Sequence, residues 1–133
     1  MTASDWTQLR EFDGVDLSES YVLGWQLTPA GLAFELDVAL TPDHPSYRPP
    51  RADERTCWVQ GRLRFPAASS VQGLREQSGV VGATDATGAR DYGSIDELSW
   101  ADEQAHIVGE FGDVTLRSSR PHITFSEHGT PSV

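Results

Sequence analysis

The stretch Leu32-Ala-Phe-Glu-Leu-Asp-Val-Ala-Leu40 constrains this chain more than any other. In an extended backbone Leu32, Phe34, Leu36, Val38 and Leu40 fall on one side, and Ala33, Glu35, Asp37 and Ala39 on the other. Such strict alternation is the signature of a strand with one face on a core and one in water. Just before it, Tyr21, Leu23, Trp25 and Leu27 alternate over 20–27 and are expected to share a face. Between the two runs, Thr28-Pro-Ala-Gly31 has Pro at the second turn position and Gly at the fourth, which predicts a β-hairpin.

The same period recurs downstream. A third strand is predicted over 55–65, with Cys57, Val59, Gly61, Leu63 and Phe65 on one face and Trp58, Gln60, Arg62 and Arg64 on the other; Pro66 ends it. Strands over 94–100 and 105–111 flank Ala101-Asp-Glu-Gln104. Gly112-Asp113 reads as a two-residue hairpin turn, pairing Phe111 with Val114 and Gly109 with Leu116. Ile107, Phe111, Val114 and Leu116 then share a face, opposite His106, Val108, Glu110, Thr115 and Arg117. His122–Phe125 forms a last strand after Pro121.

Elsewhere the pattern is weaker. Ser4 or Asp5 can cap a short helix over Trp6–Phe12, with an irregular arm as the alternative. Residues 41–54 hold four prolines and read as a long loop. The stretch 66–93 is rich in turn residues and hard to assign. The expectation is one mainly β domain over 1–133, an antiparallel six- to seven-stranded sandwich or partly open barrel. Residues 1–15 form its N-terminal arm or short helix, and 126–133 a flexible tail.

Composition narrows the function classes. No apolar run approaches the roughly 20 residues of a membrane-spanning helix. Met1-Thr-Ala-Ser-Asp-Trp6 lacks the basic and apolar regions of a signal peptide, so a cytoplasmic location is expected. The single cysteine, Cys57, excludes an internal disulfide or a multi-cysteine zinc site and reads as a small buried hydrophobe. A net charge of −10 argues against nucleic acid or an anionic membrane as partner. The charge is also uneven: 44–75 carries six Arg and two acids within an otherwise acidic chain. That segment, with Tyr47 and Trp58, is either neutralised internally by an acidic neighbouring strand or forms a protein-binding surface, because Arg, Trp and Tyr are enriched at binding hot spots.

Catalytic patterns are missing. His44, His106, His122 and His128 show no ligand-pair spacing. A calcium loop starting at Asp85 fails, with Ala89 at its fifth position and Arg90 where Gly is required. Glu35 and Asp37 stand two apart on one strand face, roughly 7 Å, and Arg62 and Arg64 are expected to face them as ion pairs. The candidate binding residues are Tyr47, Trp58, Arg62, Arg64, Asp91, Tyr92, Asp96 and Glu97. No cofactor or metal is expected.

Asp16-Leu-Ser-Glu-Ser-Tyr-Val-Leu-Gly-Trp-Gln-Leu27, followed by the turn and Leu32-Ala-Phe-Glu-Leu-Asp-Val38, resembles the opening hairpin of small bacterial β proteins of uncharacterised or toxin-immunity type. Gly61-Arg-Leu-Arg-Phe65 and Gly109-Glu-Phe-Gly-Asp-Val-Thr-Leu116 are similar to their middle and C-terminal strands. Ser18 and Glu19 stand where those families commonly carry a His-Asp pair. The resemblance implies a non-catalytic, acidic inhibitor that binds a basic toxin. Two alternatives are a small-molecule or carbohydrate binder using Trp58, Tyr47 and Tyr92 as exposed aromatics, and a hydrolase with carboxylates near Asp91 and Asp96. A homodimer through an edge strand is compatible with all three.

Overall fold

The computed structural model describes residues 4–45, 47–49, 57–80, 83–84 and 90–125. Its strands are β1 (Ser4–Asp5), β2 (Val15–Thr28), β3 (Gly31–Leu40), β4 (Cys57–Pro66), β5 (Ser69–Gln72), β6 (Ala83–Thr84), β7 (Arg90–Asp91), β8 (Ile95–Ala101), β9 (Gln104–Gly109), β10 (Gly112–Arg117) and β11 (His122–Phe125). One antiparallel sheet runs β11-β4-β3-β2 and a second runs β1-β8-β9-β10-β5, while β6 and β7 pair apart. The fold is thus mainly β, a two-sheet sandwich that does not close into a barrel. Among the described residues no helix is long and apolar enough to cross a membrane.

The core lies between the sheets. Leu32, Phe34, Leu36, Val38 and Leu40 all point into it, as their alternation requires. β4 pairs with β3 without interruption from Gly31↔Pro66 to Leu40↔Cys57, so Leu63 and Phe65 enter the same layer. Phe34 joins the sheets: its ring lies 6.2 Å from Phe65 beside it and 4.7 Å from Phe111 on the facing sheet. Trp25 closes the cluster, 5.9 Å from Phe111 and edge-on to Tyr92 at 5.2 Å. Burying aromatic side chains of this size supplies much of the energy that orders a domain.

β2 departs from the sequence expectation. Tyr21, Leu23, Trp25 and Leu27 do not share a face, because two bulges change the phase of the strand. The pairing jumps from Asp16↔Ala39 to Tyr21↔Asp37, then from Val22↔Leu36 to Gly24↔Glu35. Ser20, within the first irregularity, and Val22, after it, are buried while Tyr21 turns outward; beyond the second Trp25 turns inward. The first bulge is held by Ser20, wholly buried, whose hydroxyl donates to the Asp16 carbonyl and accepts the Ala39 N–H. That hydroxyl replaces a ladder hydrogen bond the bulge removes.

A second departure lies at the β9–β10 turn. Gly112 pairs with Gly109 and Val114 with Ile107, so the turn is Glu110-Phe111 rather than Gly112-Asp113. The register differs from the expected one by four residues. An even slip preserves the faces, and Ile107, Phe111, Val114 and Leu116 are buried as expected. Burial of the Phe111 ring selects this register: the ring packs over Gly109, where a Cβ would collide with it. Gly112 serves a different purpose from the one predicted, since at φ +127° its backbone approaches the Gly73 carbonyl too closely for any side chain.

At the N-terminus two 3-10 turns, Trp6–Gln8 and Arg10–Phe12, stand where one short helix was an option. Asp5 caps the first by accepting from the Thr7 N–H. Leu9 and Phe12 are buried and Trp6 packs against them, a spacing of three that suits a 3-10 repeat. Glu11 pairs with Arg120, whose guanidinium also lies 5.4 Å from the Trp100 ring centroid. This clip ties the start of the domain to the segment before β11. Residues 46, 50–56, 85–89 and 126–133, and the Cys57 side chain, lie outside the described residues, and with them parts of the predicted 41–54 loop, the Asp85 turn, the tail and the expected burial of Cys57.

Candidate functional site

The outward residues of the four-stranded sheet form ordered rows across its strands. Ala33, Arg64 and His122 are neighbours in one row, and Glu35, Arg62 and Thr124 in the next. Tyr21, Asp37 and Gln60 follow, and Ala39 stands beside Trp58 in the last. Arg62 pairs with Glu35, as the sequence predicted. Arg64 does not pair with Asp37: the register sets Arg64 opposite Ala33, and Asp37 opposite Gln60.

Tyr21 and Trp58 are the most informative members of this face. They are 38% and 37% exposed, and they are the only aromatic side chains among the described residues with that much surface in water. They belong to β2 and β4, which flank β3, so their strands run about 9.5 Å apart. Their ring centroids are nevertheless only 6.2 Å apart, with the planes tilted by 58°. The two rings therefore lean toward each other across β3. Ala39, the β3 neighbour of Trp58, is small and only 2% exposed.

Asp37 sits at the edge of this aromatic bridge. Tyr21 is its direct cross-strand partner on one side and Gln60 on the other, and Trp58 is its diagonal neighbour. Burial pushes its carboxyl above the ordinary aspartate value. Among the described residues it makes no ion pair and no side-chain hydrogen bond. A shallow groove of about 300 Å³ continues from here, lined by Glu35, Gln60, Arg62, Arg64 and Thr124.

The remaining predicted residues are placed elsewhere. Tyr92 is not an exposed aromatic; it is buried against Trp25, because its backbone N–H donates to the Val22 carbonyl and draws the segment between the sheets. Tyr47 is half-buried against the core. Asp91 accepts from the Gly93 N–H and shapes the turn into β8, while Asp96 and Glu97 are exposed at a β8 irregularity on the second sheet. Only Trp58, Arg62 and Arg64 of the predicted set share one surface. Tyr21 was missed because simple alternation put it inward; the signal that could have found it is Glu19, a charged residue interrupting the series Val15, Leu17, Tyr21.

The outer face of the second sheet has a different character. Ser99, His106 and Thr115 form a row across β8, β9 and β10, with Gln72 next on β5. His106 Nε2 lies 2.6 Å from Asp113 Oδ1. A broad depression of about 530 Å³ covers this region, and its lining includes Ser70, Ser99, His106 and Thr115 but no aromatic residue. Among the described residues no three His, Cys, Asp or Glu side chains are grouped to hold a metal ion. No protein-family model matches the chain, and no curated protein or solved structure gives a significant match.

Proposed function

We propose that this chain is a non-catalytic domain that binds another protein through the outer face of its four-stranded sheet. The observation that carries this reading is the Tyr21–Trp58 pair, two large rings held half in water on a broad, shallow surface. Folding alone gives no reason to leave them there, and Trp, Tyr and Arg are the residues that dominate binding energy at protein interfaces. The face offers a groove rather than the enclosed cavity typical of a small-ligand site. With a net charge of −10, encounter with a basic partner is favoured. Inhibition of a basic toxin, in the manner of an immunity protein of the cytoplasm, is the form of this role that the strand-pattern resemblance suggests.

Affinity capture from the native cell, with the wild type and a Tyr21→Ala/Trp58→Ala double variant as baits, tests the proposal. A protein held by the wild type and lost by the double variant is the expected result. Equal capture by both would overturn it. Carbohydrate binding is the second reading, favoured by Asp37, Gln60 and Arg62 beside the two rings. Quenching of tryptophan emission by a soluble oligosaccharide, abolished in the double variant, would favour it instead.

A further inference from the structure

We infer that Tyr21, Trp58 and Asp37 form a receptor for one cationic side chain, a lysine or arginine projecting from the partner protein. The inference rests on the protein-binding reading above and specifies what that surface recognises.

The argument begins with two neighbouring carboxylates on β3. Glu35 and Asp37 both point outward, two residues apart, and each faces β4. Opposite Glu35 the chain supplies Arg62, and the charge is compensated within the sheet. Opposite Asp37, where a second arginine would complete the pattern, it supplies Gln60. Asp37 is nonetheless the more sequestered of the two, half-buried while Glu35 is exposed. The fold thus holds one carboxylate partly out of water and leaves its counter-charge to come from outside.

The aromatic rings define what that counter-charge should be. A ring face carries negative quadrupole density, so a cation near two tilted faces is attracted by both. Tyr21 and Trp58 meet at 58° across β3, and Asp37 is the direct cross-strand partner of Tyr21 and the diagonal neighbour of Trp58. An ammonium or guanidinium beside the pair would meet the ring surface left in water and satisfy the carboxylate. An anion would meet Asp37 and the overall negative charge. A neutral sugar needs an open, flat ring to stack upon, whereas these rings lean against each other.

The test uses the full chain, uniformly labelled with nitrogen-15, and a tetra-arginine peptide as probe. The chain has four tryptophans, so the indole N–H of Trp58 reports alongside three internal controls. Saturable movement of the Trp58 indole, with Trp6, Trp25 and Trp100 unmoved, is expected. Asp37→Asn should weaken binding about tenfold, the scale of losing one well-placed charged contact. Glu35→Gln changes the net charge equally and should weaken it less than about twofold. Trp58→Leu keeps an apolar side chain but no ring, and should weaken binding as Asp37→Asn does. Equal loss in Asp37→Asn and Glu35→Gln would overturn the receptor, showing diffuse attraction to an acidic surface. Equal movement of the Trp58 indole by cellotetraose, or self-association of the chain through this face, would overturn it as well. Capture of a native partner that is lost in the Tyr21→Ala/Trp58→Ala variant yet unaffected by Asp37→Asn would remove the receptor and leave the protein-binding reading intact. Capture unaffected by either change would remove both.

Discussion

The two outer faces of this sandwich obey the same alternation and differ in what they do with it. The five-stranded sheet turns out Ser99, His106, Thr115, Gln72 and Arg117, small or polar side chains that suit a solvated surface. The four-stranded sheet also turns out charge, but adds Tyr21 and Trp58 and leaves Asp37 without a partner. Solubility explains the first face completely. It does not explain the second, where a phase-shifting bulge carries Tyr21 to the surface to meet Trp58 across β3. Alternation decides which residues leave the core; only the departures from it hint at use.

The comparison can be broken most severely from inside. Phe34 touches both sheets, so Phe34→Ala should cost about 3–5 kcal/mol and loosen both faces together. Urea unfolding followed by the Trp58 indole resonance and by a probe at Thr115 should give coincident midpoints in wild type and variant alike. Separated midpoints would mean the sheets unfold independently and that Phe34 does not join them.

A smaller but more local effect is expected at the bulge. Ser20→Ala removes the acceptor of the buried Ala39 N–H and should cost about 1–3 kcal/mol. It should also loosen Tyr21, weakening partner capture while the second face keeps its amide chemical shifts. Ser20→Thr retains the hydroxyl and separates the hydrogen bond from the shape of the site.

Next come the faces themselves. Trp58→Leu is expected to change stability by no more than about 1 kcal/mol while partner binding is lost. His106→Ala, which removes the pair with Asp113 on the second face, should change stability by about 0.5 kcal/mol or less and leave binding intact. Loss of binding on His106→Ala, with none on Trp58→Leu, would reverse the assignment of the faces.

The subtlest difference is in pH dependence. Burial raises the Asp37 carboxyl in the folded state, so folding favours its protonated form. Its penalty is absent below the unfolded value, grows as pH rises through the folded value, and is constant above it. Glu11 has the opposite sign: its hydrogen bond with Arg120 lowers its carboxyl, giving stability present above the unfolded value and lost as pH falls through the folded one. Asp37→Asn should therefore stabilise the domain at neutral pH and abolish the decline on rising pH, and Glu11→Gln should lessen the loss on acidification. Urea midpoints measured across the acid range distinguish the two.

Much of the architecture was legible in the sequence. The β3 stripe, its pairing with β4, the Thr28–Gly31 turn and the last strand follow from period two and from proline and glycine at turn positions. The irregular parts were not. Four residues of β2 between Asp16 and Tyr21 face a single residue of β3, and the break in alternation at Glu19 does not fix the length of that bulge. Phe111 sits in a turn yet is wholly buried, because its ring packs on Phe34 and Gly109 makes room. β5 is four residues long with little alternation, and depends on β10 for its pairing. The site was half legible for the same reason. Trp58, Arg62 and Arg64 lie on a regular strand, whereas Tyr21 reaches them only through the bulge, and Tyr92 is drawn inward by a backbone pairing between segments distant in sequence.

Hydroxyl-radical footprinting of the free chain and of its complex with the captured partner tests most directly which face carries the interaction. Oxidation of Tyr21 and Trp58 should fall sharply in the complex, while His106 reacts at its free rate. Undiminished oxidation of Trp58 and Tyr21, with His106 shielded, would contradict a binding surface on the four-stranded sheet.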